Sequence, residues 1–302
     1  MNRLQYIWEV VKKTAIGFNE DNCFRYSAAL SFYTLFSIAP VVMIAIYVAG
    51  LFADDAAVRN EITNQFTALM GEKGSEGIMV LMETLRREDQ SVFSLIAGVG
   101  ILIFSATNIF VQVQTSFNEI FKVKVREGKG IIKLLIDRAI SLGMILSLGF
   151  IMIISLVLDA LVVGFINRLS NRFSEMSIGF AALAEYTIML AIVTGVIAAL
   201  FKLLPDVVIY RKYLWRSAFI TTILLLIGKF GIGWYIGNSN LSQLGGASSS
   251  VIILMLWVYY TSLILFIGAE LIRAQLSVGD KEITPKSYAV RIEPVKIKEH
   301  GE

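Results

Sequence analysis

Ser105, Asn108, Gln112, Thr115 and Glu119 follow one another at spacings of 3, 4, 3 and 4 residues in a largely apolar stretch. On a helix that spacing sets all five on one face. A second series, Ser27, Ser31 and Thr34, continues into Ser37 and Pro40 within another apolar run. Hydroxyls and carboxamides so arranged can replace the hydration shell of a small polar solute, and two such faces at one depth would form a polar crevice. The same groups can also simply bond helix to helix. Pro40 lacks an N–H, so it would kink its helix, either opening carbonyls to a cavity or only curving the span.

Charged residues inside apolar runs are the costlier placement, at about 2.5–3.5 kcal/mol each even on lenient insertion scales. Asp159, Glu185 and Lys229 are three such residues, each toward the same outer side of its run. Lys229 with Asp159 is the expected pair, and Glu185 is the other candidate anion. A buried pair can fix helix register or act as a gate, and a lysine can also snorkel to the surface. Glu270 precedes Arg273 by three residues, a spacing that allows a pair along one helix, and anchoring at the interface accounts for it.

Other chemistries lack their residues. Cys23 is the single cysteine and His300 the single histidine, so neither a disulfide within the chain nor a His/Cys metal centre is expected. There is no H-E-x-x-H, G-x-S-x-G, phosphate-loop or dinucleotide motif. No catalytic residue, metal or cofactor is therefore expected. The basic stretch Lys122, Lys124, Arg126, Lys129, Lys133 and Arg138 could touch nucleic acid, but topology and anionic lipid explain it better. No nucleic-acid partner is expected.

The elements that must position these residues are apolar helices. The chain has 302 residues, 56% hydrophobic and 17% charged, with mean hydropathy +0.69. Six apolar stretches, about 26–53, 91–118, 139–166, 185–204, 216–236 and 249–272, are separated by charged loops. A bilayer core about 30 Å thick takes roughly 20 residues of helix to cross. Backbone groups in lipid must bond within their own segment, so helices are the expected form. The expectation is an all-α polytopic membrane protein, a bundle of six transmembrane helices forming one domain over 1–276. The first run is too long for a secretory signal core and reads as a retained span.

Charge sets the orientation. With both termini cytoplasmic, 20 Lys and Arg fall inside and 6 outside, which satisfies the positive-inside rule. Anionic lipid contact is expected on the cytoplasmic side. Ahead of the first span, Leu4, Ile7, Trp8, Val11, Ala15 and Phe18 recur at helical spacing. They predict an amphipathic helix, either lying in the interface or packed on the bundle. The acidic 54–89 loop carries stripes Val58, Ile62, Phe66, Leu69 and Ile78, Leu81, Met82, Leu85, predicting two short helices as an outer cap. Ala191, Gly195 and Ala199, Gly143 and Ser147, and Gly233 and Gly237 are spaced for close helix approach, within a bundle or between copies of a homo-oligomer. Residues 277–302 read as a polar cytoplasmic tail without fixed structure.

The run Tyr26-Ser27-Ala28-Ala29-Leu30-Ser31-Phe32-Tyr33-Thr34-Leu35-Phe36-Ser37-Ile38-Ala39-Pro40 resembles the first span of the YihY/BrkB family of bacterial inner-membrane proteins. Ser105-Ala106-Thr107-Asn108, Phe117-Asn118-Glu119-Ile120, Gly245-Gly246-Ala247-Ser248-Ser249-Ser250, Leu256-Trp257-Val258-Tyr259-Tyr260 and Gly268-Ala269-Glu270 continue it. It covers roughly residues 5–275. The resemblance implies six spans in the bacterial plasma membrane. It marks Ser31, Thr34, Pro40, Asn108, Asn118, Glu119 and Glu270 as functional positions. It also brings a ribonuclease BN label, for which no hydrolytic centre is found, and a virulence label. The resulting expectation is a protein that moves a solute, ion or lipid through a polar crevice between spans 1, 2 and 6. A scaffold for envelope integrity, docked through the acidic cap, is the alternative, and a membrane-tethered ribonuclease is the least favoured reading.

Overall fold

Asn2 opens the first helix, α1 (Arg3–Glu20), with a capping box: its backbone N–H donates to the Gln5 side chain at 3.1 Å. The structure, a computed structural model, describes residues 2–50, 54–87, 109–126, 176–238 and 247–292. α1 buries Val10, Thr14 and Gly17 against the last helix. Its Leu4, Ile7, Trp8 and Val11 face lies open, with Leu4 81% and Trp8 66% exposed. The two sequence alternatives for α1 therefore coexist: one stripe packs on the bundle and another is free for the interface.

A two-residue turn, Asp21–Asn22, joins α1 to α2 (Cys23–Gly50). Asn22 has φ 55°, a left-handed conformation that asparagine tolerates better than most residues. Next comes α3 (Asp55–Arg87), helical along its length but not straight. Arg59 donates to the Met82 carbonyl at 3.1 Å, and the Thr67 and Ser75 hydroxyls bond at 2.9 Å. In a straight helix a 23-residue step would span about 35 Å. The segment must double back between Thr67 and Ser75, giving the two antiparallel arms that the paired stripes suggest.

Residues 109–120 form α4, which ends at Lys122 (φ 54°) and passes into β1 (Val123–Val125). α5 (Met176–Leu203) leads through Pro205 to β2 (Val207–Val208). α6 (Arg211–Asn238) and α7 (Ala247–Val278) follow. Both are long and apolar enough to cross a bilayer, over Arg211–Tyr235 and Val251–Val278. The third expected span and the first part of the second lie outside the described residues.

α7 is the central element, with α1, α2, α3 and α6 all packed on it. One core joins Phe117 of α4, Phe201 of α5 and Phe266 of α7, with ring centroids 5.6 Å and 6.0 Å from Phe117. A second core, at the other end of α7, sets Val58, Ile62 and Met82 of α3 against Ile253 and Trp257. The cap and α1 thus sit about 25 Å apart along α7. Large apolar side chains on α6, Ile227, Phe230 and Trp234, point away from the bundle, and Phe230 is 77% exposed. In lipid such residues cost nothing, and association rests on close packing.

Among the described residues, a Cβ on Gly195 or Gly233 would meet no atom within 4 Å. Close approach occurs at Gly268, where a Cβ would strike Thr221 and Phe201, and at Gly228, where it would strike Tyr260. One expectation is corrected: the polar tail is structured as far as residue 292. β3 (Thr284–Pro285) pairs antiparallel with β2, and β4 (Ala289–Arg291) pairs antiparallel with β1. A polar strand needs no apolar face when its backbone donors and acceptors find a ladder, so hydropathy could not reveal this strap.

Candidate functional site

Two carboxylate centres lie at the α1 end of the bundle. The first begins at the α1–α2 turn. Asp21 is buried there and receives Lys122 Nζ on Oδ1 at 2.6 Å and the Arg273 guanidinium on Oδ2. Lys122 and Arg273 are partly open, at 38% and 27% exposure. One aspartate therefore ties the turn to the end of α4 and to α7.

Glu270 lies one helical turn before Arg273 and is buried. Its Oε2 is 3.6 Å from the same Arg273 nitrogen, and its Oε1 has no hydrogen-bond partner. The Glu270 and Asp21 carboxyls thus share the Arg273 guanidinium. Gly17 of α1 lies flat on this carboxylate, and a Cβ there would overlap Oε2. On α2, Cys23 and Ser27 are fully buried, and the Ser27 hydroxyl is likewise without a partner. Glu270 of α7 and Ser27 of α2 thus each keep one buried, unpaired oxygen.

The second centre is Asp206, fully buried after α5. Its backbone N–H donates to Asn118 Oδ1 at 2.8 Å, and Asn118 Nδ2 donates to its carboxylate at 2.7 Å. Gln114 and the Tyr288 hydroxyl donate to Oδ1 at 3.4 Å and 3.2 Å. The Lys286 backbone N–H donates to the Asp206 carbonyl at 2.9 Å, and Lys286 Nζ donates to the Leu203 carbonyl at 3.2 Å. α4, the α5 end and the strap are clasped by this one residue.

The residues singled out from sequence divide accordingly. Ser105, Asn108 and Asp159 lie outside the described residues. Pro40 falls within α2 and Glu185 within α5. Ser31 is buried and donates to the Ala28 carbonyl at 2.9 Å, and Thr34 donates to the Leu30 carbonyl at 2.8 Å. On α4, Gln112 is half-buried while Thr115 and Glu119 are exposed, and Thr115 donates to the Val111 carbonyl at 2.9 Å. Of the described stripe members on α4, Thr115 and Glu119 are exposed, whereas Ser27 and Ser31 on α2 are buried. Asn118 serves Asp206. Lys229 is half-buried on α6, beside an apolar cleft of about 370 Å³ lined by Gly228, Ile232, Tyr259 and Tyr260. Glu270 with Arg273 forms the pair that their spacing allows.

Asp21, Asp206 and Tyr288 are the residues that sequence reasoning missed, and Lys122 was read there only as part of a basic stretch. Asp21 ahead of a charge-free run, and Asp206 directly after Pro205, were the available signals.

The sequence profile of the family described as Virulence factor BrkB matches residues 14–290, from the middle of α1 to β4. The chain belongs to this family. The match takes in both carboxylate centres and most of the strap. Among relatives, a UPF0761 membrane protein of Saccharophagus degradans is 26% identical over 268 residues, covering 87% of this chain and 58% of that protein. One from Xanthomonas axonopodis pv. citri is 24% identical over 261 residues, covering 84% and 58%. Another, from Alcanivorax borkumensis, is 26% identical over 260 residues, covering 85% and 58%. The chain thus spans less than two thirds of the length of these relatives. No solved structure matches it. It is a membrane protein of the BrkB family, and its apolar helices fit that setting.

Proposed function

We propose that this BrkB-family chain is a multi-pass inner-membrane protein, both termini cytoplasmic, that moves a solute, ion or lipid rather than catalysing a reaction. The observation that carries this reading is Glu270: a carboxylate buried where α1, α2 and α7 meet, with Oε1 unpaired. Ionisable groups within spans are costly and are kept chiefly where they face a pathway or a partner. Ser27, buried and unpaired on α2, supports a pathway at the meeting of spans 1 and 6 as well. Lys122, Arg211, Lys212 and Arg216 cluster at this end and suit anionic headgroups if it faces the cytoplasm.

Solute and ion flux in proteoliposomes tests the reading, comparing wild type with Glu270→Gln, Asn108→Ala and Lys229→Ala. Flux in the wild type that Glu270→Gln lowers would support it. No flux above empty liposomes over a broad panel would sink it.

A scaffold role is the second reading. The folded-back α3 exposes Glu76, Glu83, Met79 and Val80 at the end away from α1, a mixed acidic and apolar surface. Crosslinking from these positions in cells that captures no envelope protein would remove its basis.

A further inference from the structure

We infer that Glu270 and Ser27 form a binding site for a single small monovalent cation, a proton or an alkali ion, that sets the position of Arg273. The argument starts from charge allocation. Asp21 has already drawn both nearby cations, Lys122 on one oxygen and Arg273 on the other. Glu270 keeps only a longer contact with the Arg273 nitrogen that already serves Asp21, at 3.6 Å on Oε2. Its Oε1 and the Ser27 hydroxyl oxygen are both buried and both unpaired. A buried acceptor left unpaired costs about 1–3 kcal/mol, and more when it is charged. Ser27 follows by one turn of α2 the Cys23 that faces Glu270, and a compact positive charge would satisfy both oxygens.

The donor set also limits the charge. One carboxylate with one hydroxyl suits a single positive charge, and among the described residues no three His, Cys, Asp or Glu side chains gather for a divalent ion. The groups facing Glu270 are Asp21 from the α1–α2 turn, Cys23 from α2, Lys122 from beyond α4 and Arg273 from α7 itself. Gly17 packs over the Glu270 carboxylate and would hold it in place.

Occupancy then decides what Arg273 does. With the cation on Glu270, Arg273 is free to hold Asp21, the arrangement seen here, and the turn is locked to α7. When the cation leaves, Glu270 competes for Arg273, and the link between turn and α7 loosens. This regulation rests on the proposed pathway for its biological role, though the site itself does not.

The test is cation binding by the full chain in nanodiscs, followed by thermal stability and difference infrared spectroscopy. At constant ionic strength, choline is exchanged for sodium or potassium, and separately the pH is lowered in choline alone. An alkali ion would raise stability in the first arm and shift a carboxylate stretch. A proton would act in the second and produce a carboxylic-acid carbonyl stretch. Either response should vanish in Glu270→Gln, and Ser27→Ala should weaken the apparent affinity about tenfold. If Glu270→Gln does not fold, Ser27→Ala and the infrared bands of the wild type still decide the matter. Identical responses of wild type and variants in both arms would overturn the site. Flux without binding would remove the site and leave the pathway, and binding without flux would do the reverse.

Discussion

Asp206 and the Asp21–Glu270 pair lie at the same end of the bundle, yet the protein treats them in opposite ways. Asp206 is saturated: Asn118, Gln114 and Tyr288 donate to it, and its backbone is bonded on both sides. These three side-chain donors are neutral, so the bonds they make change little with salt. The Asp21–Glu270 centre instead relies on two partly exposed cationic side chains and leaves Glu270 Oε1 and Ser27 Oγ unpaired. A saturated carboxylate can only hold the fold together. An unsaturated one keeps capacity for a ligand, at a standing cost in stability.

That contrast predicts its largest effect at Asp206. Asp206→Ala removes the acceptor from three side-chain donors, of which Gln114 is buried. The expected loss is about 2–3 kcal/mol, because orphaned buried donors carry the desolvation cost without a bond. The strap should detach with it. Denaturation in mild detergent reads the first effect, and protease sensitivity near Thr284 to Arg291 reads the second. An unchanged strap would mean that the two short ladders hold by themselves.

Asp21→Asn should cost less, about 1–2 kcal/mol, since Lys122 and Arg273 are partly open and can turn to water. It should also free Arg273 for Glu270, so a Glu270–Arg273 coupling energy measured by double-mutant cycle should rise in the Asp21→Asn background. A coupling that falls instead would show that Asp21 positions both residues rather than competing for one.

Glu270→Gln sharpens the comparison because its expected sign differs. Neutralising an unsaturated carboxylate removes a buried charge, so stability should stay within about 1 kcal/mol of wild type or rise. A loss as large as that of Asp206→Ala would make Glu270 a structural partner of Arg273 and nothing more.

The sequence showed the apolar helices and the Glu270–Arg273 spacing because both are local. Hydropathy runs and i,i+3 geometry depend on neighbours within one turn. Glu270 was visible as an ionisable residue in an apolar run, but its unsaturated state depends on where Asp21 sends Lys122, and those residues are 101 positions apart. The Asp206 clasp likewise joins residues 88 apart, and β4 finds β1 across most of the chain. No periodicity encodes such partners. On α4 the spacing does place Gln112, Thr115 and Glu119 on one face, while among the described residues the face turned inward belongs to Phe110, Val113 and Phe117. Where both faces of a span are acceptable to their surroundings, hydropathy cannot say which is buried.

The smallest predicted effect concerns hydroxyls that bond within their own helix. Thr115 donates to Val111, four residues back, and is exposed. Thr115→Val leaves that carbonyl its backbone bond and orphans nothing, so the stability change should stay within about 0.5 kcal/mol. Thr194 differs, because its hydroxyl donates to Thr222 across the α5–α6 contact at 3.1 Å and is buried. Such bonds between membrane helices average about 0.6 kcal/mol, so Thr194→Val should cost measurably more than Thr115→Val. Thermal unfolding of both variants in the same detergent gives the ranking. A larger loss at Thr115 would mean that the outward face of α4 has a partner, and would restore the stripe of Gln112, Thr115 and Glu119 as a candidate wall of the pathway.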